Sequence, residues 1–257
     1  MKRFLISFVL VSVLLSAGAF AGPSAKFAAT YGNDGPYLVS IALIEDADVD
    51  TGPVFDNKTG FTLATIKVPQ DKELLVGVSA EIGLTTDTSI KGKNGGAARS
   101  IAGAAAGTLV FACPVDGGDC TDVALPGPIT LSQRIQVLSA TLGGVLESCT
   151  DLNDDGTIDV KTECEVSDEE IGLMLDTLAA HHFNFVLPDM DQGEYNIVVV
   201  FGTGAMAQID IDETSVENGG TVSGSAFARA WIGNYMVTVQ QVRATKGGII
   251  DVDIIEP

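Results

Sequence analysis

Between Glu73 and Leu84 the chain alternates. Leu74, Val76, Val78, Ala80, Ile82 and Leu84 are apolar, while Glu73, Gly77, Ser79, Glu81 and Gly83 occupy the interleaved positions. A period of two sends successive side chains to opposite faces, so this stretch is satisfied only by a strand with one buried face. Such a strand needs neighbours, and the rest of the chain supplies them in the same idiom. Tyr37, Val39, Ile41 and Leu43 mark a second strand over Tyr37–Glu45, and Phe61–Val68 is a third, stopped by Pro69. Ile129, Leu131, Ile135 and Val137 keep the period after Pro126 and Pro128. Further strands are expected at Phe183–Leu187, Glu194–Phe201 (with Tyr195, Ile197 and Val199 on one face), Ala207–Ile211, Ala226–Arg243 with a break near Gly233-Asn234, and Ile249–Ile255.

The intervening stretches are read differently. Glu45–Gly60 is acidic and turn-rich and reads as a loop. Ser89–Ala98, with Lys91, Lys93 and Gly95-Gly96, reads as a flexible, locally basic loop. Arg99–Cys113 is rich in Ala and Gly; Gly103 and Gly107 weaken a helix there, so a strand packed closely on a neighbour is expected. One helix is predicted. Ser167 and Glu170 form a capping box, Val166 and Ile171 take the staple positions, and Ile171, Leu175, Leu178 and His182 share one face with Met174 beside them, giving a helix from Asp168 to His181. The fold class that follows is mainly β: an antiparallel β-sandwich or jelly-roll with one short helix after an acidic, disulfide-framed loop. No period of 20–50 residues suggests a solenoid or propeller.

The first residues bear on compartment. Lys2 and Arg3 precede an apolar run from Phe4 to Leu15, and Ala19-Phe20-Ala21 has the small-x-small pattern of a cleavage site. Residues 1–21 therefore read as a signal peptide, since the apolar run is shorter than the ~20 residues a membrane span requires. Residues 22–257 read as one β-sandwich-like domain with a 149–182 loop-plus-helix insertion, exported to the periplasm or the extracellular space, with no membrane span in the mature chain. Loss of Lys2 and Arg3 takes the formal net charge from -20 to -20 - 2 = -22. A surface this acidic repels nucleic acid and anionic lipid.

Four cysteines in an exported chain are most simply two disulfides, for which three pairings exist. The local pairs, Cys113–Cys120 and Cys149–Cys164, are favoured because each closes a short polar loop between apolar segments. Gly117-Gly118 supplies a hairpin-type turn inside the first. Zinc is disfavoured, because no two cysteines have the two-to-four-residue gap typical of its sites.

Inside the second pair, oxygen-bearing residues recur at Asp151, Asn153, Asp155 and Asp159, with Gly156 at the bend. This stretch resembles the Asp-x-Asp/Asn-x-Asp-Gly calcium loops of EF-hands, dockerin repeats and thrombospondin type 3 repeats. The resemblance covers about a dozen residues and no family is indicated for the whole chain. It implies Ca²⁺ held by the side chains of Asp151, Asn153 and Asp155, the backbone carbonyl of Thr157, and Asp159 directly or through water. Ile158 matches the residue that packs the EF-hand loop inward. The twelfth position, a bidentate Glu in EF-hands, is Thr162 here, so Glu163 or Glu165 would complete the shell. The alternative is an acidic surface loop that binds nothing.

The remaining chemistry is sparse. His181 and His182 are the only histidines and, on a helix, would project about 100° apart, unable to share a metal as an i, i+4 pair could. There is no Gly-x-Ser-x-Gly, His-Glu-x-x-His or phosphate-binding loop. Trp231, the single tryptophan, reads as core or strand-edge packing, and Asn57-Lys58-Thr59 fits a glycosylation sequon. The expectation is a non-enzymatic, exported β-sandwich with a structural calcium loop, working as an envelope or extracellular interaction or structural module with a protein or glycan partner. A calcium-dependent carbohydrate-binding module and a secreted hydrolase with two carboxylates are the alternatives; the 34 acidic residues leave the last open.

Overall fold

The strand named first, β4 (Lys72–Lys93), lies at the centre of one of two antiparallel sheets. The computed structural model describes residues 27–32, 38–45, 49–69, 72–118, 120 and 122–242. In chain order the remaining elements are β1 (Phe27–Gly32), β2 (Leu38–Glu45), β3 (Val49–Val68), β5 (Gly96–Pro114), β6 (Asp122–Val123), β7 (Ile129–Leu142), β8 (Val145–Cys149), α1 (Val160–Glu163), β9 (Cys164–Ser167), β10 (Glu169–Met190), β11 (Gly193–Ile211), α2 (Glu213–Glu217) and β12 (Thr221–Val242). In sheet A, β1 and β2 share one edge of β12, followed by β4 and then β10. In sheet B the order is β3, β11, β5, and β7 and β6 share the far edge of β5. The short β8–β9 ladder stands apart from both and carries the acidic loop.

The core lies between the sheets. Val76, Val78, Ile82, Phe185 and Leu187 of sheet A meet Ile66, Ile197, Val199, Phe201 and Ile209 of sheet B, all fully buried or nearly so. The alanines of β5, Ala102, Ala104 and Ala106, face this layer. Their small size lets the sheets approach, which is why an Ala-rich segment is a strand here. The mainly β fold, the antiparallel pairing, the strand at Arg99–Cys113 and the break near Gly233-Asn234 (a register shift between Ile232 and Tyr235) are as expected. Both local disulfides, Cys113–Cys120 and Cys149–Cys164, are formed.

Three expectations are corrected. The helix over 168–181 is instead the first half of β10, which pairs with β4 in unshifted register from Glu169↔Gly92 to Leu187↔Leu74. A helix would have left this flank of β4 without a ladder; the strand supplies one for its whole length, a long-range gain that outweighs a local capping box. His181 and His182 therefore lie on a strand, facing opposite sides, and no helix dipole acts on them. Second, Ser89–Ala98 is not a flexible loop. β4 runs to Lys93 and β5 starts at Gly96, with Asn94 (φ 55°) and Gly95 (φ 82°) making a two-residue arch from sheet A to sheet B. Both residues tolerate the left-handed region, and their N–H groups donate to the carbonyls of Gly143 (3.1 Å) and Leu142 (2.9 Å). Third, the turn-rich stretch 49–60 belongs to β3. Among the described residues that strand has a ladder on one side only, β11, and shifts register three times against it. An edge with bulges accommodates Pro53 and Gly52 where a central strand would not. Residues 1–26, covering the signal-peptide reading, and the expected strand Ile249–Ile255 lie outside the described residues.

One lateral side of the sandwich is closed and partly open along its length. Leu125 and Val186 exchange main-chain hydrogen bonds of 2.8 and 3.1 Å, joining the edge of sheet A to the segment after β6. Farther up β10, side chains of β7 do this work. Arg134 donates to the carbonyls of Leu84 (3.2 Å) and Leu175 (3.1 Å) and to Thr177 Oγ1 (2.7 Å). Gln136, buried, accepts from Thr86 Oγ1 (2.9 Å) and donates to Thr88 Oγ1 (2.8 Å) and the Leu173 carbonyl.

Candidate functional site

Two places combine specific chemistry with access: the acidic loop and the outer face of sheet A. The loop is organised by its neck. Cys149 and Cys164 are paired in the β8–β9 ladder as well as bonded, and the Thr150 N–H donates to the Glu163 carbonyl (2.8 Å). Closing a loop of this size contributes on the order of 3 kcal/mol through the chain entropy of the unfolded state. Within it the expected ligand residues bind the backbone. Asp151 Oδ2 accepts from Gly156 N–H (2.9 Å), and Asn153 Oδ1 accepts from Asp155 N–H (3.0 Å). Asp155 Oδ1 accepts from the Thr157 N–H (2.8 Å) and hydroxyl (2.6 Å), and its Oδ2 accepts from Asn153 Nδ2 (3.0 Å). The Thr157 hydroxyl, then its N–H, holds the Asp155 carboxyl below the usual carboxylate range.

Glu163 is the brace of the loop. It is buried at the end of α1, and its two oxygens accept from Leu152 N–H (3.1 Å) and Asp159 N–H (2.8 Å). Sequence spacing suggested Glu163 as a metal ligand; its observed partners are two N–H groups on opposite sides of the loop. Among the described residues no three acidic, histidine or cysteine side chains converge closely enough to hold a metal ion. One oxygen is unspent: Asp151 Oδ1 is buried and accepts no hydrogen bond. A buried carboxylate oxygen with no donor calls for a cation or a water. The oxygen-rich donor set is of the hard type that Ca²⁺ takes. Asp151, Asn153, Asp155, Thr157 and Asp159 are thus brought into one small loop, with Asp151 Oδ1 the atom left over for a ligand.

The outer face of sheet A was not legible as a site. Register places its outward side chains in rows across four strands. Leu43, Phe227, Asp87 and Met174 form one row; Ile41, Arg229, Thr85 and Asp176 the next; Val39, Trp231, Gly83 and Leu178 the third. The flanks are apolar and open: Ile41 is 59%, Leu43 57%, Met174 62% and Leu178 59% exposed. Below them Tyr31 and Met236 continue the exposed apolar surface. Between the flanks, Thr85 Oγ1 donates to Asp176 Oδ1 (2.9 Å) and Arg229 donates to Thr85 Oγ1 (3.4 Å). The Arg229 Nε is buried without an acceptor.

Trp231 is neither core nor edge packing. Its indole lies across Gly83, close enough that a Cβ there would overlap it. Glycine at 83 is therefore what allows the ring to reach over β4. Beside it, the bulge at Gly233-Asn234 lets Asn234 Nδ2 donate to Glu81 Oε2 (2.6 Å). On the same face His182 is held between Ser79 Oγ (2.8 Å to Nδ1) and Asn184 Oδ1 (3.1 Å to Nε2). A weak signal did exist. Ile41, Leu43, Met174 and Leu178 are apolar, but only the pairing of four distant segments puts them on one surface.

No family model matches the chain, and no curated protein matches it. Among solved structures, that of infectious bursal disease virus Gx strain aligns at 10% identity with a TM-score of 0.19, over 82% of this chain and 45% of that one. The Gt strain of the same virus aligns at 10% identity and a TM-score of 0.16, over 88% of this chain and 43% of that one. The chain thus spans less than half the length of either. Among the described residues no helix is long and apolar enough to cross a membrane.

Proposed function

We propose that this chain is a non-enzymatic, exported β-sandwich of the envelope or extracellular space, an interaction module that presents the outer face of sheet A to a protein partner. The observation that carries the reading is the apolar flanking of that face by Ile41, Leu43, Met174 and Leu178 in a chain of net charge -20. A strongly acidic protein stays soluble without exposed large apolar side chains, and several of them gathered on one face of a sheet are the kind of surface a partner covers. The test uses Ile41→Lys/Leu43→Lys, both on β2 at the far edge of the sheet, as bait beside the unsubstituted chain in extracts of the source envelope. A defined protein retained by the original face and lost by the doubly substituted one supports the reading. Identical recoveries from both baits overturn it.

The acidic loop takes a structural role in the same reading. Ca²⁺ would be held by Asp151, Asn153, Asp155, the Thr157 carbonyl and Asp159, while Glu163 braces the loop from within. The support is the unpaired, buried Asp151 Oδ1. The cation supplies positive charge to a crowded set of carboxylates and does no further chemistry. Calcium at millimolar concentration should raise the Tm of chelator-treated protein, and Asp155→Ala should abolish the rise; equal melting of both proteins removes calcium from the account.

A second reading, a calcium-dependent carbohydrate-binding module, is favoured by Trp231 reaching across Gly83 on the outer face beside Glu81 and Asn234. An indole face with hydrogen-bonding groups at its rim suits a sugar ring. A glycan array with and without chelator decides it, since glycan binding that disappears in Trp231→Ala and in chelator would displace the protein-partner reading.

A further inference from the structure

We infer that the first half of β10, Glu169–Ala180, is the seam of a homodimer, in which it pairs antiparallel with the same segment of a second copy about a two-fold axis at Leu175. The inference goes beyond the partner-binding role of the outer face and does not depend on it.

Among the described residues β10 is the last strand of sheet A. Its free side meets main chain in the described residues only at Val186, through Leu125. Solitary edges are usually blunted by bulges, prolines, brevity or charged side chains. The first three are missing here, since β10 has 22 residues, its register against β4 is unshifted from Glu169 to Leu187, and its first proline is Pro188; the charges, Glu169, Glu170 and Asp176, restrict which register the edge can accept. Side chains from β7 touch the carbonyls of Leu173 and Leu175, but a side-chain donor uses one lone pair of each and offers no ladder.

The segment is also apolar on both faces. Ile171, Leu173 and Leu175 point toward the sheet B side, opposite the buried Ile90, Thr88 and Thr86 on β4, yet are 43–45% exposed. Met174 and Leu178 on the outer face are exposed further still. Five half-open large side chains amount to on the order of 500 Å², to which main chain and flanking residues add, against about 800 Å² per partner in a standard interface.

Charge selects the occupant and the register. A two-fold antiparallel pairing must join residues of equal parity, so that each face continues across the seam. An axis at Leu173 would set Glu170 opposite the second copy's Asp176, a like-charge pair directly across the ladder. An axis at Leu175 sets Asp176 opposite Met174, Glu170 opposite Ala180 and Leu175 opposite itself. It alone of the central choices also places Glu169 opposite His181, a carboxylate across from an imidazole at both ends of the seam. The edge is complementary to itself, and pairing would merge the two sheets A into one.

The test uses the mature chain at micromolar concentration, with mass read by light scattering. A dimer is expected, and a monomer at every concentration overturns the inference. Leu175→Lys would set two ammonium groups face to face and should give a folded monomer; persistence of the dimer overturns the inference. Leu43→Lys, on the far edge of the sheet, should leave the dimer intact, and its dissociation would place the interface elsewhere and overturn the seam. Leu175→Cys reads register without weakening the fold. Opposed residues have Cβ atoms roughly 4.5–5.5 Å apart, wider than in a relaxed disulfide, so a short thiol-to-thiol cross-linker should give a covalent dimer from Leu175→Cys and none from Gly172→Cys, which would face Leu178. A dimer that cross-links equally through both positions, or through neither, overturns the register.

Discussion

The two halves of β10 share one neighbour and one register, yet live in different environments. From Phe183 to Met190 the strand is core, with Phe185 and Leu187 fully buried; from Glu169 to Ala180 every residue is exposed. The ladder to β4 is the same throughout. What differs is the cover. The lower half faces the buried residues of sheet B and is latched by Leu125, whereas from the sheet B side the upper half is met, among the described residues, by the side chains of Arg134 and Gln136. Pairing decides that a segment is a strand, and the opposite sheet decides whether that strand is core.

This contrast can be broken by substitution. Phe185→Ala should cost about 3–5 kcal/mol, because it removes a filled core position, while Leu178→Ala, measured on the same strand in the Leu175→Lys monomer, should stay within about 0.5 kcal/mol. Comparable losses at the two sites in denaturant unfolding of that monomer would break the contrast, and a larger loss at Leu178 in the dimer than in the monomer is what the seam requires. Next in size is the disulfide at the top of the strand: Cys149→Ser/Cys164→Ser should lose on the order of 3 kcal/mol, detected as a lower Tm. Gln136→Ala should cost about 1–3 kcal/mol, since the hydroxyls of Thr86 and Thr88, both fully buried, would lose their partner. That variant should also raise hydrogen exchange in Glu169–Ala180 more than in Phe183–Met190. The smallest effect concerns pH. The Asp155 carboxyl is held below its ordinary 3.8 by Thr157, so its contribution is present above that value and fades as pH falls through the depressed one. Asp155→Asn should therefore lower stability slightly and evenly near neutrality and flatten the acid limb of the stability curve below about pH 4.

The same contrast explains what could be read in advance. β4 was legible because both of its faces meet decisive environments, and alternation records that. The disulfides were legible from the lengths of their loops. The upper half of β10 was misread for a physical reason. Ile171, Leu175 and Leu178 fit a helical stripe, while Ile171, Leu173 and Leu175 fit a strand face, and Ser167 with Glu170 tipped the local balance toward helix. With no opposite sheet to enforce a clean pattern, only the distant flank of β4 breaks the tie. Edge strand β3 escaped for a related reason, because a ladder on one side tolerates Pro53 and acidic residues. The loop's oxygen-rich composition pointed to Asp151, Asn153 and Asp155, but composition could not foretell that Glu163 would turn inward to two N–H groups. The rows on sheet A depend on four segments far apart in the chain, and no window of sequence contains them.

The Leu125–Val186 latch has a mechanical consequence. Within one copy, a pull on β10 from its Met190 end soon reaches Val186, where main-chain bonds to two neighbours must give together. A pull from Glu169 opens the ladder to β4 one pair at a time. An unpaired copy should therefore peel first from the end where the disulfide hairpin is attached, which makes the acidic loop its natural handle.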